Sequence, residues 1–225
     1  MRGDKEACFK SSERDWDDKY EAKIGTATKI IKFGSEFILK SESPSFRHVD
    51  DILALGPGVC GILWRFIFEY KDVRYDAKNS AKLTTQAVVR LAKACPKLRR
   101  IELQAATEVG EDALLALFEN CPALTYLELS GISLGNDITG TSLDALRENP
   151  EWAPKLKTLI LGEKDDKKEF MKAMRALGKE IRAMTVTLVS RHEEKKWGDW
   201  ELVTTKQSYK KGRKHGDVYD DDQFW

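Results

Sequence analysis

The side chains of this 225-residue chain best suited to nucleophilic or metal chemistry are few. They are three histidines, His48, His192 and His215, and four cysteines, Cys8, Cys60, Cys95 and Cys121. None stands in a pattern that chemistry reuses: there is no HExxH, no GxSxG, no GxGxxG, no phosphate-binding loop and no CxxC pair. A cysteine beside a histidine would suffice for thiol catalysis, so a thiol enzyme remains an alternative. A zinc site would need four ligands within ~2.3 Å of one ion, and Cys60, Cys95 and Cys121 recur too regularly for that. Asp217, Asp220, Asp221 and Asp222 lack the glycine and distal glutamate of a calcium loop. The expectation is a non-enzymatic protein with no catalytic residues, no metal and no cofactor.

Charge narrows the partners. Lys and Arg number 38 and Asp and Glu 37, so a net charge of +1 supplies no bulk field for nucleic acid or anionic lipid. The reading therefore favours another protein as partner, over nucleic acid, a small-molecule substrate or a membrane. One stretch runs against it. Residues 206–214 hold Lys206, Lys210, Lys211, Arg213 and Lys214, ahead of the aspartates. This is read as a self-neutralising tail, with a nucleic-acid or nuclear-import contact as the alternative. The first twenty residues have no apolar segment of a signal peptide. The longest apolar run, residues 61–68, is broken by Arg65 and falls short of the ~20 residues a membrane helix needs. A cytoplasmic or nuclear protein with free thiols is expected.

The cysteines mark a repeat. CPKLRRIEL at 95–103 and CPALTYLEL at 121–129 start 26 residues apart, and APKLKTLIL at 153–161 fits the same frame. So do CGILWRFIF at 60–68 and GKEIRAMTV at 178–186. The apolar triads are Leu63/Phe66/Phe68, Leu98/Ile101/Leu103, Leu124/Leu127/Leu129, Leu156/Leu159/Leu161 and Ile181/Met184/Val186. Their last two members alternate as in a strand. Before each comes a helical stripe, clearest at Val88, Leu91, Ala92 and Cys95, at Leu114, Leu117, Phe118 and Cys121, and at Phe170, Met174 and Leu177. Thr84 or Thr85 and Glu111 or Asp112 are candidate first-turn residues. The longer intervals imply insertions at 70–82 and 135–140. A cysteine recurring in one slot is a packing residue, small and apolar, at the end of the helix. Cys8 lies outside the slot and is expected to be an exposed thiol.

LTTQAVVRLAKACPKLRRIEL at 83–103 and VGEDALLALFENCPALTYLEL at 109–129 resemble the cysteine-containing leucine-rich repeat of the ribonuclease-inhibitor-like superfamily. The repeat region of F-box/leucine-rich-repeat proteins is similar, although no F-box segment is visible here. The resemblance covers roughly residues 49–190. It implies an α/β solenoid with a parallel sheet on the concave side and helices on the convex side. By analogy it implies a protein-binding role, one form of which is substrate recognition for a ubiquitin ligase.

The domain reading follows. Residues 1–23 are taken as a polar arm, 24–48 as an N-terminal cap containing a strand pair or hairpin, 49–190 as about five repeats, and 191–225 as a capping strand with a charged tail. If the triads point into the core, the alternate strand residues face outward. Lined up across strands, one row reads Arg65, Arg100, Tyr126, Thr158, Ala183 and the next Ile67, Glu102, Glu128, Ile160, Thr185. Arg and Tyr are enriched at binding hot spots. The candidate partner-binding residues are Arg65, Arg100, Glu102, Tyr126, Glu128 and Thr158. The competing reading is that these arginines and glutamates only neutralise one another on a wet sheet.

Overall fold

The apolar stripes and triads fold as their periods dictate. In the computed structural model, which describes residues 1–10, 13–35, 37, 47–70, 83–131, 138–164 and 167–219, they alternate along the chain as helices and short strands. The strands are β1 Glu6–Phe9, β2 Ile30–Phe33, β3 Arg65–Phe68, β4 Arg100–Leu103, β5 Tyr126–Leu129, β6 Thr158–Gly162, β7 Thr185–Lys196, β8 Asp199–Lys210 and β9 Arg213–Tyr219. The helices are α1 Glu13–Lys23, α2 His48–Ala54, α3 Pro57–Cys60, α4 Thr85–Ala94, α5 Glu111–Asn120, α6 Thr141–Glu148 and α7 Lys168–Glu180. All nine strands form one open sheet in chain order. The pairings from β1 to β7 are parallel, and β7, β8 and β9 are antiparallel.

Each helix carries the chain back to start the next strand beside the last. Successive crossovers of one hand place the helices on one face, and α4, α5, α6 and α7 pack in sequence, each on the next. Under them Leu98, Ile101, Leu103, Leu124, Leu127, Leu129, Leu159 and Leu161 are fully buried. The proposed insertions fall mostly in 71–82 and 132–137, outside the described residues, as do Asp220, Asp221 and Asp222.

The units are also locked by side chains at helix starts. Thr84 caps α4, its hydroxyl accepting from the Ala87 amide at 3.3 Å. Thr85, the first residue of α4, accepts from the Gly110 amide that opens α5. Glu111, the first residue of α5, does the same for α6. Its carboxylate accepts from the amides of Thr139 (2.6 Å), Gly140 (3.4 Å) and Ser142. Burial alone would raise the Glu111 pKa, but these hydrogen bonds outweigh it and hold the carboxyl below its ordinary range. A depressed folded-state pKa contributes stability above the unfolded value of ~4.3, and that stability is lost as pH falls through the folded value. Glu111→Gln should therefore melt below the wild type at pH 7 by about 1–2 kcal/mol. The gap should narrow as pH drops below ~4, and a gap independent of pH would refute the assignment.

Three expectations for the N-terminal units and the repeat frame need correction. Residues 1–23 are not an arm: β1 is the edge strand, and Trp16 on α1 is wholly buried. The Trp16 indole N–H donates to Asp51 Oδ2 at 2.9 Å, and its ring packs on Phe9 and Phe33. Residues 24–48 hold no hairpin among the described residues, because β2 is a parallel strand between β1 and β3. In both cases the apolar alternation spans only four residues, too short to separate from a loop. The fifth repeat frame is slipped. Thr158 pairs with Thr185 and Leu159 with Val186, so Thr185 and Thr187 take the outward positions given to Ala183 and Thr185. The Met184 amide bonds to the Ile181 carbonyl as Leu98 does to Cys95, but the strand then starts one residue sooner.

Trp197 and Gly198, with φ of 53° and 101°, form the turn that joins β7 and β8 as a hairpin. Tyr209 on β8, paired with Val186, is buried at the end of the core. The basic stretch 206–214 is not a tail. It runs through β8, the turn at Lys211 and Gly212, and the start of β9.

Candidate functional site: the face of the sheet opposite the helices

The in-register pairing brings the outward residues into rows. Arg65, Arg100, Tyr126 and Thr158 are direct neighbours on β3 to β6, and Ile67, Glu102, Glu128 and Ile160 form the row beside them. Adjacent parallel strands lie ~4.8 Å apart, so Arg65, Arg100 and Tyr126 span ~10 Å. Arg100 Nε donates to Glu102 Oε1 at 2.6 Å, and its guanidinium lies 3.8 Å over the Tyr126 ring. The ring is thereby pre-set, and burial followed by the charges of Glu128 and Glu102 pushes the Tyr126 pKa up. Arg65 is exposed and has no ion pair among the described residues. Thr158 is half-buried.

Glu128 departs from expectation. It is 3 % exposed, and its carboxylate is saturated. It accepts from Arg191 Nη2 at 2.8 Å, Tyr126 Oη at 3.3 Å, Ser130 Oγ at 3.3 Å and Gln104 Nε2 at 3.4 Å. Arg191 comes from the part of β7 that runs past β6, and it also donates to Ser130 Oγ. Gly162, the β6 residue paired with Val189, presents no side chain in between. Further along the same strand, Glu193 accepts from the Tyr70 hydroxyl at 2.7 Å. The β7–β8 hairpin thus leans over the C-terminal ends of β3 to β6. A buried carboxylate ion-paired within the protein is not available to a partner, so Glu128 is a structural residue.

The N-terminal ends of the strands stay open, and sequence reasoning missed what gathers there. Trp64, just before β3, is flanked by two cations, with Lys29 Nζ 4.2 Å and the Arg99 guanidinium 4.3 Å from its ring. Arg99 and Lys29 hold the same position before β4 and β2, and the backbone bonds Trp64 N to Lys29 O and Arg99 N to Trp64 O fix the row. The signal was present as one slot before each strand, but only the slots inside the strands were aligned.

The thiols are placed as packing groups. Cys95 and Cys121 end α4 and α5, and Cys60 is the last residue of α3. Cys60 Sγ contacts the Ile52 carbonyl at 3.8 Å, and Cys121 Sγ contacts the Ala92 carbonyl at 3.7 Å. Burial pushes Cys121 up to about 12. The contact between the Cys60 and Cys95 thiols, with burial, holds Cys95 far above its ordinary value, and the same contact lowers Cys60 to about 7. Cys60 is 3 % exposed, so access and not ionisation keeps it from a reagent. Cys8, expected to be open, is half-buried, and its thiol contacts Glu6 Oε1 at 3.5 Å. Burial, then that hydrogen bond, raise its pKa. A thiol reagent at pH 7 should label Cys8 alone and slowly, and the other three only on unfolding. Rapid labelling of Cys60, Cys95 or Cys121 in the folded protein would refute this placement.

His48 is buried against Trp16, Phe33 and Phe37, His192 is on β7 and His215 on β9, three separate elements. Among the described residues no three His, Cys, Asp or Glu side chains converge as a metal set, and no helix is long and apolar enough to cross a membrane. Comparison with protein-family models and with curated proteins finds no match.

Proposed function

We propose that the chain is a leucine-rich-repeat solenoid, with strands on the concave side and helices on the convex side, that binds another protein through its sheet. The reading is of a non-enzymatic interaction module, and substrate recognition for a ubiquitin ligase is its most specific form. One observation carries it. Arg65, Arg100 and Tyr126 stand side by side on an open part of the sheet, continued by Trp64 between Lys29 and Arg99. Arg and aromatic side chains held in fixed positions are the residues that dominate protein interfaces. Arg100 and Tyr126 are pre-ordered by their stacking, which reduces the entropy lost on binding. The surplus positive charge of Lys29, Arg65 and Arg99 suits a partner segment carrying carboxylates.

The test is capture of partners from the native cell, followed by titration of the captured protein. Arg100→Ala with Tyr126→Ala should cost at least ~2 kcal/mol of binding, about thirtyfold. The same variant should shift the melting midpoint little, because neither side chain lies in the apolar core. A cullin adaptor among the captured proteins would support the ubiquitin-ligase form. Full affinity in a well-folded double variant would remove the sheet face from the account.

A further inference from the structure

The basic stretch 206–214, for which the sequence suggests a self-neutralising tail with a nucleic-acid contact as the alternative, lies against another basic surface. Along α7, Lys168, Lys172, Arg175 and Lys179 project from one exposed side at spacings of four, three and four residues. The β8–β9 turn is fixed beside them. Gly212 has a φ of 72°, and a Cβ there would lie 2.6 Å from the Arg175 carbonyl oxygen. A Cβ on Gly178 would lie 3.1 Å from the Gly212 amide. Two glycines thus permit backbone-to-backbone approach, which sets Lys210, Lys211, Arg213 and Lys214 next to the helix.

Two adjoining clefts result, of about 810 and 790 Å³, sharing Lys179 and Lys214. Arg182 and His215 complete the second cleft. Among the described residues, nine Lys and Arg side chains line the pair, against one carboxylate, Glu180. Glu180 is already paired with Arg147 at 3.3 Å. Apart from Lys214, none of the nine has an ion pair among the described residues. In a chain with 38 basic residues and a net charge of +1, this is strong segregation of charge.

We infer that the cleft between α7 and the β8–β9 hairpin binds the phosphate backbone of duplex nucleic acid, without regard to sequence. The chemistry separates this from a protein interface. Protein interfaces need an apolar anchor, and the apolar lining among the described residues is Ala176 with Met171 and Tyr209, which are 8 % and 6 % exposed. Among the described residues no exposed Phe, Tyr or Trp ring lines either cleft, and His215 is the one exposed ring there, whereas single-strand binders stack successive bases on several aromatic side chains. What remains is a set of lysine and arginine charges. From Lys168 to Lys179 it extends ~17 Å along the helix, over which one duplex strand presents about five phosphates. The inference is independent of the partner on the sheet face.

The experiment is fluorescence anisotropy of the full chain with labelled 20-base-pair DNA and RNA duplexes of two unrelated sequences each. Micromolar affinity is expected at 50 mM salt, equal within about threefold for the two sequences of a type. The log of the affinity should fall with log salt at a slope of about −4, the value for four to five phosphates. Lys172→Glu with Lys179→Glu and Arg213→Glu should weaken binding at least tenfold. Lys93→Glu with Lys97→Glu, exposed near the end of α4, should leave it unchanged. Absence of binding at 50 mM salt would overturn the inference, as would equal loss in both variants. Tighter binding to phosphatidylserine vesicles than to either duplex would also overturn it, in favour of a membrane surface.

Discussion

Leu127→Asp is expected to abolish cooperative folding. Leu127 sits on β5, between Ile101 and Leu159 in the inward row, and is wholly buried. The substitution removes a leucine side chain from the core, which alone costs about 2–5 kcal/mol. It also places a carboxyl where burial raises the pKa by roughly 3–5 units. At pH 7 this costs up to about 4 kcal/mol, ~1.4 kcal/mol for each unit between the unfolded value near 3.9 and the ambient pH. The sum rivals the whole stability of a typical domain, about 5–15 kcal/mol. A carboxyl with a raised folded-state pKa is tolerated best below its unfolded value near 3.9 and least as pH rises through the folded one. The variant should therefore be less disrupted at pH 4 than at pH 8. A circular-dichroism melt with the wild-type midpoint would contradict the inward register of β5.

Glu128→Ala should be nearly as damaging, although Glu128 is on the opposite face. It leaves the Arg191 guanidinium, 6 % exposed, without its carboxylate. Breaking a buried pair from one side costs about 3–5 kcal/mol. Replacing both partners by apolar residues of similar volume is often neutral or stabilising. The double change Glu128→Leu with Arg191→Met should accordingly recover most of the loss. Chemical denaturation of the four proteins in the cycle measures this. Equal midpoints for Glu128→Ala and wild type would mean that the hairpin does not rest on β5 in solution.

The middle of the fold was legible because two repeats carry full apolar triads and uninterrupted helical stripes. Leu98 to Leu103 and Leu124 to Leu129 announce strand, core and outward row together. The N-terminal units were not legible. Their strands expose one apolar alternation each, and the helix between them shows Trp16 and Tyr20 as its anchors in a polar segment. The slip at β7 has a local cause, since Met184 is as apolar as the leucine it replaces and the shortened lead into the strand leaves no mark in composition. The covering of the sheet was beyond reach for another reason. Arg191 meets Glu128 across 63 residues and Tyr70 meets Glu193 across 123, and such polar pairs have no period. Among the candidate binding residues, Arg65, Arg100, Tyr126 and Thr158 lie in one row as the repeat frame requires. Only the accessibility of Glu128 depended on that distant hairpin.

The claim that the sheet face is the binding surface is tested most directly by amide hydrogen exchange, with and without a captured partner. The N-terminal ends of β3, β4 and β5, residues 64–66, 99–101 and 125–127, should gain protection on binding. The exposed sides of α4, α5 and α6 should exchange as before. Protection confined to the helices, with the strand starts unchanged, would contradict the account.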